Sequence, residues 1–413
     1  MARILTYTSP ATGHLFPLVP GLLELRRRGH DIHVRTLAEG LPQLAAVGLD
    51  GSPVDVRVSE FRVRDHEATS DKQRLVTGLQ DIMQRAPLDG ADLDAAIAEH
   101  RPDLLIVDIN AYGAMTRAEA SGLPWVLAMP SLLPLPEPGI PPYSLGLPPV
   151  RGLLGRVRDA VLWPVVEHLF GKALLPGLNA LRATSGLPAF RSPLDMYGPP
   201  DLVLGMTGAP LEYPRRSLPA NVALVGFQPW DPPAPAPAYL AEPGDPWVLV
   251  TCSTEYQGDE SLARVAVEAL RDEPYRVLLT LADAYDDADL PAADNVVATR
   301  FVPHAAVLPS AAAVVTHAGM GIVGKATYAG VPIVAVPFGR DQPEIARRIV
   351  EAGTGVRLSA RRLTPERLRS AVRAAVACRP RALAVAEELR QAEPAVACAD
   401  AIGGVLDRSQ VGA

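Results

Sequence analysis

The sequence predicts an α/β protein built from two doubly wound, Rossmann-like domains that face each other across a cleft. Three observations predict it. The first forty residues read as strand, loop, helix and strand, and the same rhythm restarts near Trp247. Between the halves, "QPWDPPAPAPAYLAEPGDPW" (228–247) carries seven prolines and reads as a stiff joint. At 413 residues the chain also exceeds what one hydrophobic core usually serves.

Taken in order, "RILTY" is a short buried-type strand, and "LVPGLLELRRRGH" is a helix with apolar residues on one face and Gly29 as its C-terminal cap. "IHVRT" completes a β-α-β unit, which requires parallel strands. "DLLIVD" (103–108), the helix "AMTRAEASG" and "PWVLAM" continue the alternation. From about Met129 the pattern gives way to the proline-rich, apolar "PSLLPLPEPGIPPYSLGLPPV" and an apolar helix, "DAVLWPVVEHLF". Long apolar loops in a compact domain are usually functional, so this stretch reads as a greasy wall for an apolar ligand. After the joint come strand "WVLVT", helix "SLARVAVEAL", strands "RVLLTL", "NVVAT", "AAVVT" and "PIVAV", and helix "PEIARRIVEAG". The expected division is 1–227, a linker 228–246, 247–394, and a terminal segment 395–413 that packs back on the N-terminal domain.

Composition narrows the function. Apolar content of 48% and charged content of 21% describe an ordinary globular protein. With a net charge of -7 and no dense Lys/Arg cluster, nucleic acid is not an expected partner. Cys252, Cys378 and Cys398 have neither metal-ligand nor CxxC spacing, which points to packing roles in a reducing, cytoplasmic compartment. "ARILTYTSP" is a strand pattern rather than a signal peptide, and no apolar run approaches the ~20 residues of a membrane helix.

Three places at the carboxyl ends of predicted strands could carry chemistry, where ligands of such sheets gather. In "VVTHAGMGIVGKA", a strand delivers His317 to the rim and a helix begins almost at once. That reads either as a tight strand-to-helix turn with a satisfied histidine or as an anion site at a helix N-terminus. It is neither GxGxxG nor a P-loop. In "PFGRDQPEIARR", Asp341 and Gln342 offer acceptors for sugar hydroxyls, although Asp341-x-x-Glu344 also reads as a capping box with Pro343 in the first turn. In "SPATGHLFP" and "IVDIN", His14 and Asp108 would project from one sheet edge. A histidine oriented by a carboxylate is the usual base for deprotonating a hydroxyl, and a helix-capping loop histidine is the plain alternative.

Together, "GHLFPLVPGLLELRRRGH" and "THAGMGIVGKATYAGVPIVAVPFGRDQ" resemble the family 1 GT-B glycosyltransferases, in particular the bacterial branch that decorates macrolides, polyketides and other antibiotics. "VLVTCST" and "FVPHAAVLPSAAAVVTHAG" extend the resemblance through the second half. It implies the GT-B fold and inverting transfer from a dTDP- or UDP-sugar to an apolar small-molecule acceptor, without cofactor or metal. His14 would be the general base and Asp108 its partner. His317 would contact the diphosphate, with Gly319, Met320, Gly321 and Ile322 helping through their backbone. Asp341 and Gln342 would hold the sugar; Phe301, Val302 and Pro303 would flank the base; Ser253 or Thr254 would touch the phosphates. Met129, Leu132, Tyr143 and Trp163, with loops from Ser59 to Arg85, are the expected acceptor wall.

Three departures from the family pattern stand out. Lys325 occupies a position where many relatives of the resembled family carry a glutamate that accepts from the ribose hydroxyls; it reads either as a solvated helix residue or as a sign of a dTDP-sugar donor, whose ribose lacks the 2′-hydroxyl. Ile322 replaces a common Ser or Thr, and "PEIARR" replaces an asparagine-bearing segment after Asp-Gln. The competing readings are a nucleotide-sugar epimerase of the same architecture, a non-catalytic partner that binds nucleotide-sugar or aglycone, and an NAD-dependent dehydrogenase. The last is disfavoured by the missing GxGxxG.

Overall fold

The computed structural model describes residues 1–64, 71–150, 152–253, 260–286 and 289–411. Two sheets, parallel throughout, organise the chain. The first is seven-stranded, in the order β3-β2-β1-β4-β5-β6-β7. Its strands are β1 Arg3–Tyr7, β2 Asp31–Thr36, β3 Asp50–Pro53, β4 Leu104–Asp108, β5 Trp125–Met129, β6 Leu202–Gly205 and β7 Val222–Leu224. The second is six-stranded, in the order β10-β9-β8-β11-β12-β13. It contains β8 Trp247–Thr251, β9 Arg276–Thr280, β10 Val296–Thr299, β11 Ala311–Thr316, β12 Ile333–Ala335 and β13 Gly355–Arg357. Every residue of β4, β5, β8 and β11 is buried and nearly all are apolar, the polar Asp108, Thr251 and Thr316 standing at the carboxyl ends, as sheets covered by helices on both faces require.

Each sheet reverses its strand order once, between β1 and β4 in the first and between β8 and β11 in the second. The crevice beyond the strand ends at such a reversal is where open α/β sheets bind ligands. His14 follows β1 and Asp108 ends β4, while Ser253 and His317 follow β8 and β11. Topology alone therefore delivers four candidate site residues to the two crevices.

Part of the acceptor-side reading needs correction. The segment from Ser59 to Arg85, expected as loops, is largely helical: a short helix Val56–Ser59 capped by Asp55 and a helix Asp71–His100. The long helix buries Ala86, Leu93 and Ala96 against the first sheet, and that apolar stripe outweighs the interruption at Pro87. The expected helix 159–170 sits inside a longer one, Leu153–Thr184, that runs through Pro164 and Pro176. At the chain end, helix Pro394–Val411 buries Cys398, Ala399, Ile402, Val405 and Leu406 in the core of the first sheet beside Leu22 and Leu25. Among the described residues, no helix is long and apolar enough to cross a membrane.

Arg348 pins the halves together. It is 2% exposed, donates to the Leu211 carbonyl at 2.9 Å, and pairs with Glu212 at 3.1 Å and Glu344 at 3.2 Å.

Candidate active site

A cavity of about 470 Å³ lies between the two sheets and is lined from both sides. The first half contributes His14, Phe16, Ile82, Asn110, Met129, Tyr143 and Trp163. The second contributes Ser253, Phe301, His317, Gly319 to Ile322, Lys325 and Asp341. The volume is that of a small-molecule site.

On the first wall, His14 sits in a short helix, Thr12–Leu15, directly after the loop that leaves β1. Its Nδ1 lies 2.7 Å from Oδ2 of Asp108, which is fully buried at the end of β4. The other carboxylate oxygen accepts the Asn110 backbone N–H at 2.9 Å. An ionised carboxylate only accepts, so it places the imidazole proton on Nδ1 and makes Nε2 the ring's acceptor nitrogen. The Asn110 side-chain amide nitrogen stands 3.2 Å from that Nε2. Behind it, Arg85 donates to the Asn110 carbonyl at 2.7 Å and is held by Asp89, both nearly inaccessible. Sequence reasoning missed Asn110, although it lies two residues beyond Asp108 in the same motif.

On the opposite wall, β11 ends at His317, which is 8% exposed. Ala318 adopts a left-handed φ of +73° and its N–H donates to Thr316 Oγ1 at 3.3 Å, turning the chain sharply into the helix Met320–Ala329. Gly319 is the N-cap, and a Cβ there would lie 2.4 Å from His317 Nε2. The glycine lets the imidazole lie against the helix terminus, whose first N–H groups and positive dipole end border the cavity.

The remaining candidates divide. Met129, Tyr143 and Trp163 line the cavity, and Trp163 Nε1 donates to the Ile140 carbonyl at 3.0 Å. Burial first, and then the nearby Asp341 charge, push the Tyr143 phenol well above its ordinary value. Leu132, expected on the acceptor wall, is instead fully buried in the core of the second half, as is Val302. Pro303 precedes the helix His304–Val307, while Phe301 stays on the cavity rim, 46% exposed. Thr254 lies outside the described residues. The capping box read at Asp341 and Glu344 does not form. Asp341 Oδ2 accepts from Ser131 Oγ of the other half at 2.5 Å, and Glu344 pairs with Arg348. Gln342 is 2% exposed, and its Oε1 accepts the backbone N–H groups of Phe338 and Gly339 at 2.8 and 3.2 Å.

Lys325 is not a solvated helix residue. Its Nζ lies 2.6 Å from Oδ1 of Asp231, in the proline-rich joint, while Oδ2 accepts the Ala305 N–H at 2.9 Å. Burial pushes the Asp231 carboxyl up, but the charge and hydrogen bond of Lys325 outweigh it and hold the group below its ordinary value. The linker carries no local signal that would have marked Asp231. Among the described residues, no three His, Cys, Asp or Glu side chains converge as metal ligands.

Residues 268–404 match the Erythromycin biosynthesis protein CIII-like C-terminal domain family. The chain is 33% identical over 393 residues to 4'-demethylrebeccamycin synthase of Lentzea aerocolonigenes, covering 90% of this chain and 91% of that protein. The chain belongs to the family 1 GT-B glycosyltransferases. It also resembles demethyllactenocin mycarosyltransferase of Streptomyces fradiae, at 26% identity over 89% of this chain and 78% of that one. Among solved structures, the calicheamicin glycosyltransferase CalG4 superposes with a TM-score of 0.72 at 23% identity, covering 99% of both chains. The glycosyltransferase VinC, solved in complex with dTDP, superposes with a TM-score of 0.69 at 24% identity, over 98% of this chain and 100% of that one. These two show the shared fold. The protein is therefore a glycosyltransferase of natural-product biosynthesis, and its cavity lies between two GT-B halves.

Proposed function

We propose that this glycosyltransferase moves a sugar from a dTDP- or UDP-sugar to a hydroxyl of an apolar acceptor, in one inverting displacement with His14 as general base. The observation that carries the reading is the pairing of two walls of one cavity. A carboxylate-oriented histidine stands on one wall, and a helix N-terminus with a second histidine stands on the other.

In this reading the acceptor hydroxyl lies near His14 Nε2 and gives it the proton as its oxygen attacks the anomeric carbon. Asp108 stabilises the imidazolium that forms. The bond from the anomeric carbon to the diphosphate oxygen breaks, and the diphosphate takes the electron pair. His317 and the N–H groups at Gly319 to Ile322 stabilise that developing charge. Asp341 holds the sugar hydroxyls. Gln342 supports the loop that carries Asp341, and Phe301 packs against the base. Ser253 contributes to the phosphate end, and Met129, Tyr143 and Trp163 form the acceptor wall. With no covalent enzyme intermediate, the anomeric configuration inverts. That VinC was solved with dTDP supports a thymidine nucleotide as one of the two donors to test.

The test is calorimetric titration with dTDP and with UDP, in EDTA, of the parent and of His317→Ala. Binding of either nucleotide that is lost in the variant supports the donor half of this reading. Binding of neither would overturn it.

A further inference from the structure

A segment of the first half, residues 130–148, crosses the cleft and fastens to the start of the helix Gln342–Ala352. Ser131 Oγ donates to Asp341 Oδ2 at 2.5 Å. Leu132, the next residue, is fully buried in the hydrophobic core of the second half, among Phe227, Trp247 and Ile345. Ser144 Oγ donates to the Arg340 carbonyl at 3.2 Å. Both of those residues hold left-handed backbones, at φ +73° and +54°, which non-glycine residues adopt only when their surroundings enforce it.

Gly146 makes the last attachment. Its N–H donates to Glu344 Oε2 at 3.2 Å, and its carbonyl accepts from Arg347 Nε at 3.4 Å and an Arg357 guanidinium nitrogen at 3.2 Å. Its φ is +58°, and a Cβ there would lie 2.4 Å from the Pro343 carbonyl oxygen. No side chain fits between the strap and the first turn of that helix.

We propose that Ser131 and Gly146 are positioning residues for the sugar end of the donor site: the strap from the acceptor half sets the place of Asp341. The proposal rests on Asp341 binding the donor sugar. Asp341 belongs to a loop, and a loop carboxylate must be ordered before it can bind; a hydrogen bond already made from the opposite half meets that cost in advance. The diphosphate end of the site is different. It is built from β11 and the helix Met320–Ala329, within the second half alone. Damage to the strap therefore weakens recognition of the sugar and spares recognition of the diphosphate.

The experiment titrates the parent, Ser131→Ala and Gly146→Ala with dTDP, dTDP-glucose, UDP and UDP-glucose. Gly139→Ala serves as control, because Gly139 also has a left-handed φ, of +96°, but nothing lies within 4 Å of its Cβ position. In both strap variants the bare diphosphates should bind within about twofold of the parent, while the ratio of sugar-nucleotide Kd to diphosphate Kd rises roughly tenfold. Gly139→Ala should leave that ratio unchanged. The proposal is overturned if the ratio stays at the parent value in both variants, or if the control shifts it equally. A parent that binds none of the four ligands overturns the functional reading itself, a result distinct from a parent that binds and variants that do not discriminate.

Discussion

Replacing Asp108 with asparagine isolates the part of the machinery that orients the base. The substitution preserves shape, and the amide oxygen can still accept the Asn110 N–H now received by Oδ1. What is lost is the charge 2.7 Å from His14 Nδ1. Two unit charges at that separation attract by ~6 kcal/mol at an effective dielectric of about 20. The His14 side chain is 24% exposed, and solvent screening brings the estimate nearer ~3 kcal/mol, or roughly a hundredfold in rate. The new amide can also donate to Nδ1, which moves the imidazole proton to Nε2, the nitrogen that must accept from substrate. Combined, the two effects place the expected loss in kcat at ~10²- to 10⁴-fold. The assay follows release of nucleoside diphosphate at saturating donor, with any acceptor the parent turns over, across pH 5 to 9. A loss below about threefold, with nucleotide affinity intact, would refute His14 and Asp108 as a working pair.

The buried charges at the junction and on the cavity wall make two further tests. Arg348→Ala leaves Glu212 and Glu344 facing each other without their shared cation, where burial already pushes the Glu344 carboxyl up. Urea unfolding should show a loss of about 3–5 kcal/mol; a loss under ~1 kcal/mol would mean the cluster is solvated. At the cavity wall, burial and then the Lys325 ammonium hold the His304 imidazole well below its ordinary value. The unfolded chain therefore binds the extra proton first, so stability is fully present above about pH 6.5 and is lost as pH falls below it. In His304→Phe that acid-side decline should be shallower by up to ~1.4 kcal/mol per pH unit, measured as urea midpoints at pH 5 and 7.5; equal slopes in both proteins would contradict it.

The sequence made the sheets legible because fully buried parallel strands are nearly continuous apolar runs, such as "DLLIVD" and "AAVVT". It made His14, Asp108 and His317 legible because each ends or follows such a run. Partners drawn from distant segments were not legible. Ser131 reaches Asp341 across 210 positions, and Asp231 reaches Lys325 across 94, with no local pattern at either end. Leu132 reads as acceptor wall because it is apolar and follows β5, yet the strap's path carries it into the other half's core. The helix Asp71–His100 was hidden for a different reason: glycines 78 and 90 and Pro87 mark a break locally, and only packing against the sheet overrides them.

Position 325 shows how such a partner changes a functional argument. Read alone, an ammonium where the family resemblance leads one to expect a carboxylate removes a hydrogen-bond acceptor and favours donors with fewer ribose hydroxyls. Paired with Asp231, the same lysine belongs to a neutral unit that still presents carboxylate oxygens at the cavity wall, beside Trp230 and His304. Each carboxylate oxygen has a second lone pair beyond the one already used, so a ribose hydroxyl could still find an acceptor there. The charge of Lys325 therefore does not by itself select thymidine over uridine donors, and the comparison of dTDP with UDP affinity measures which nucleotide the pair favours.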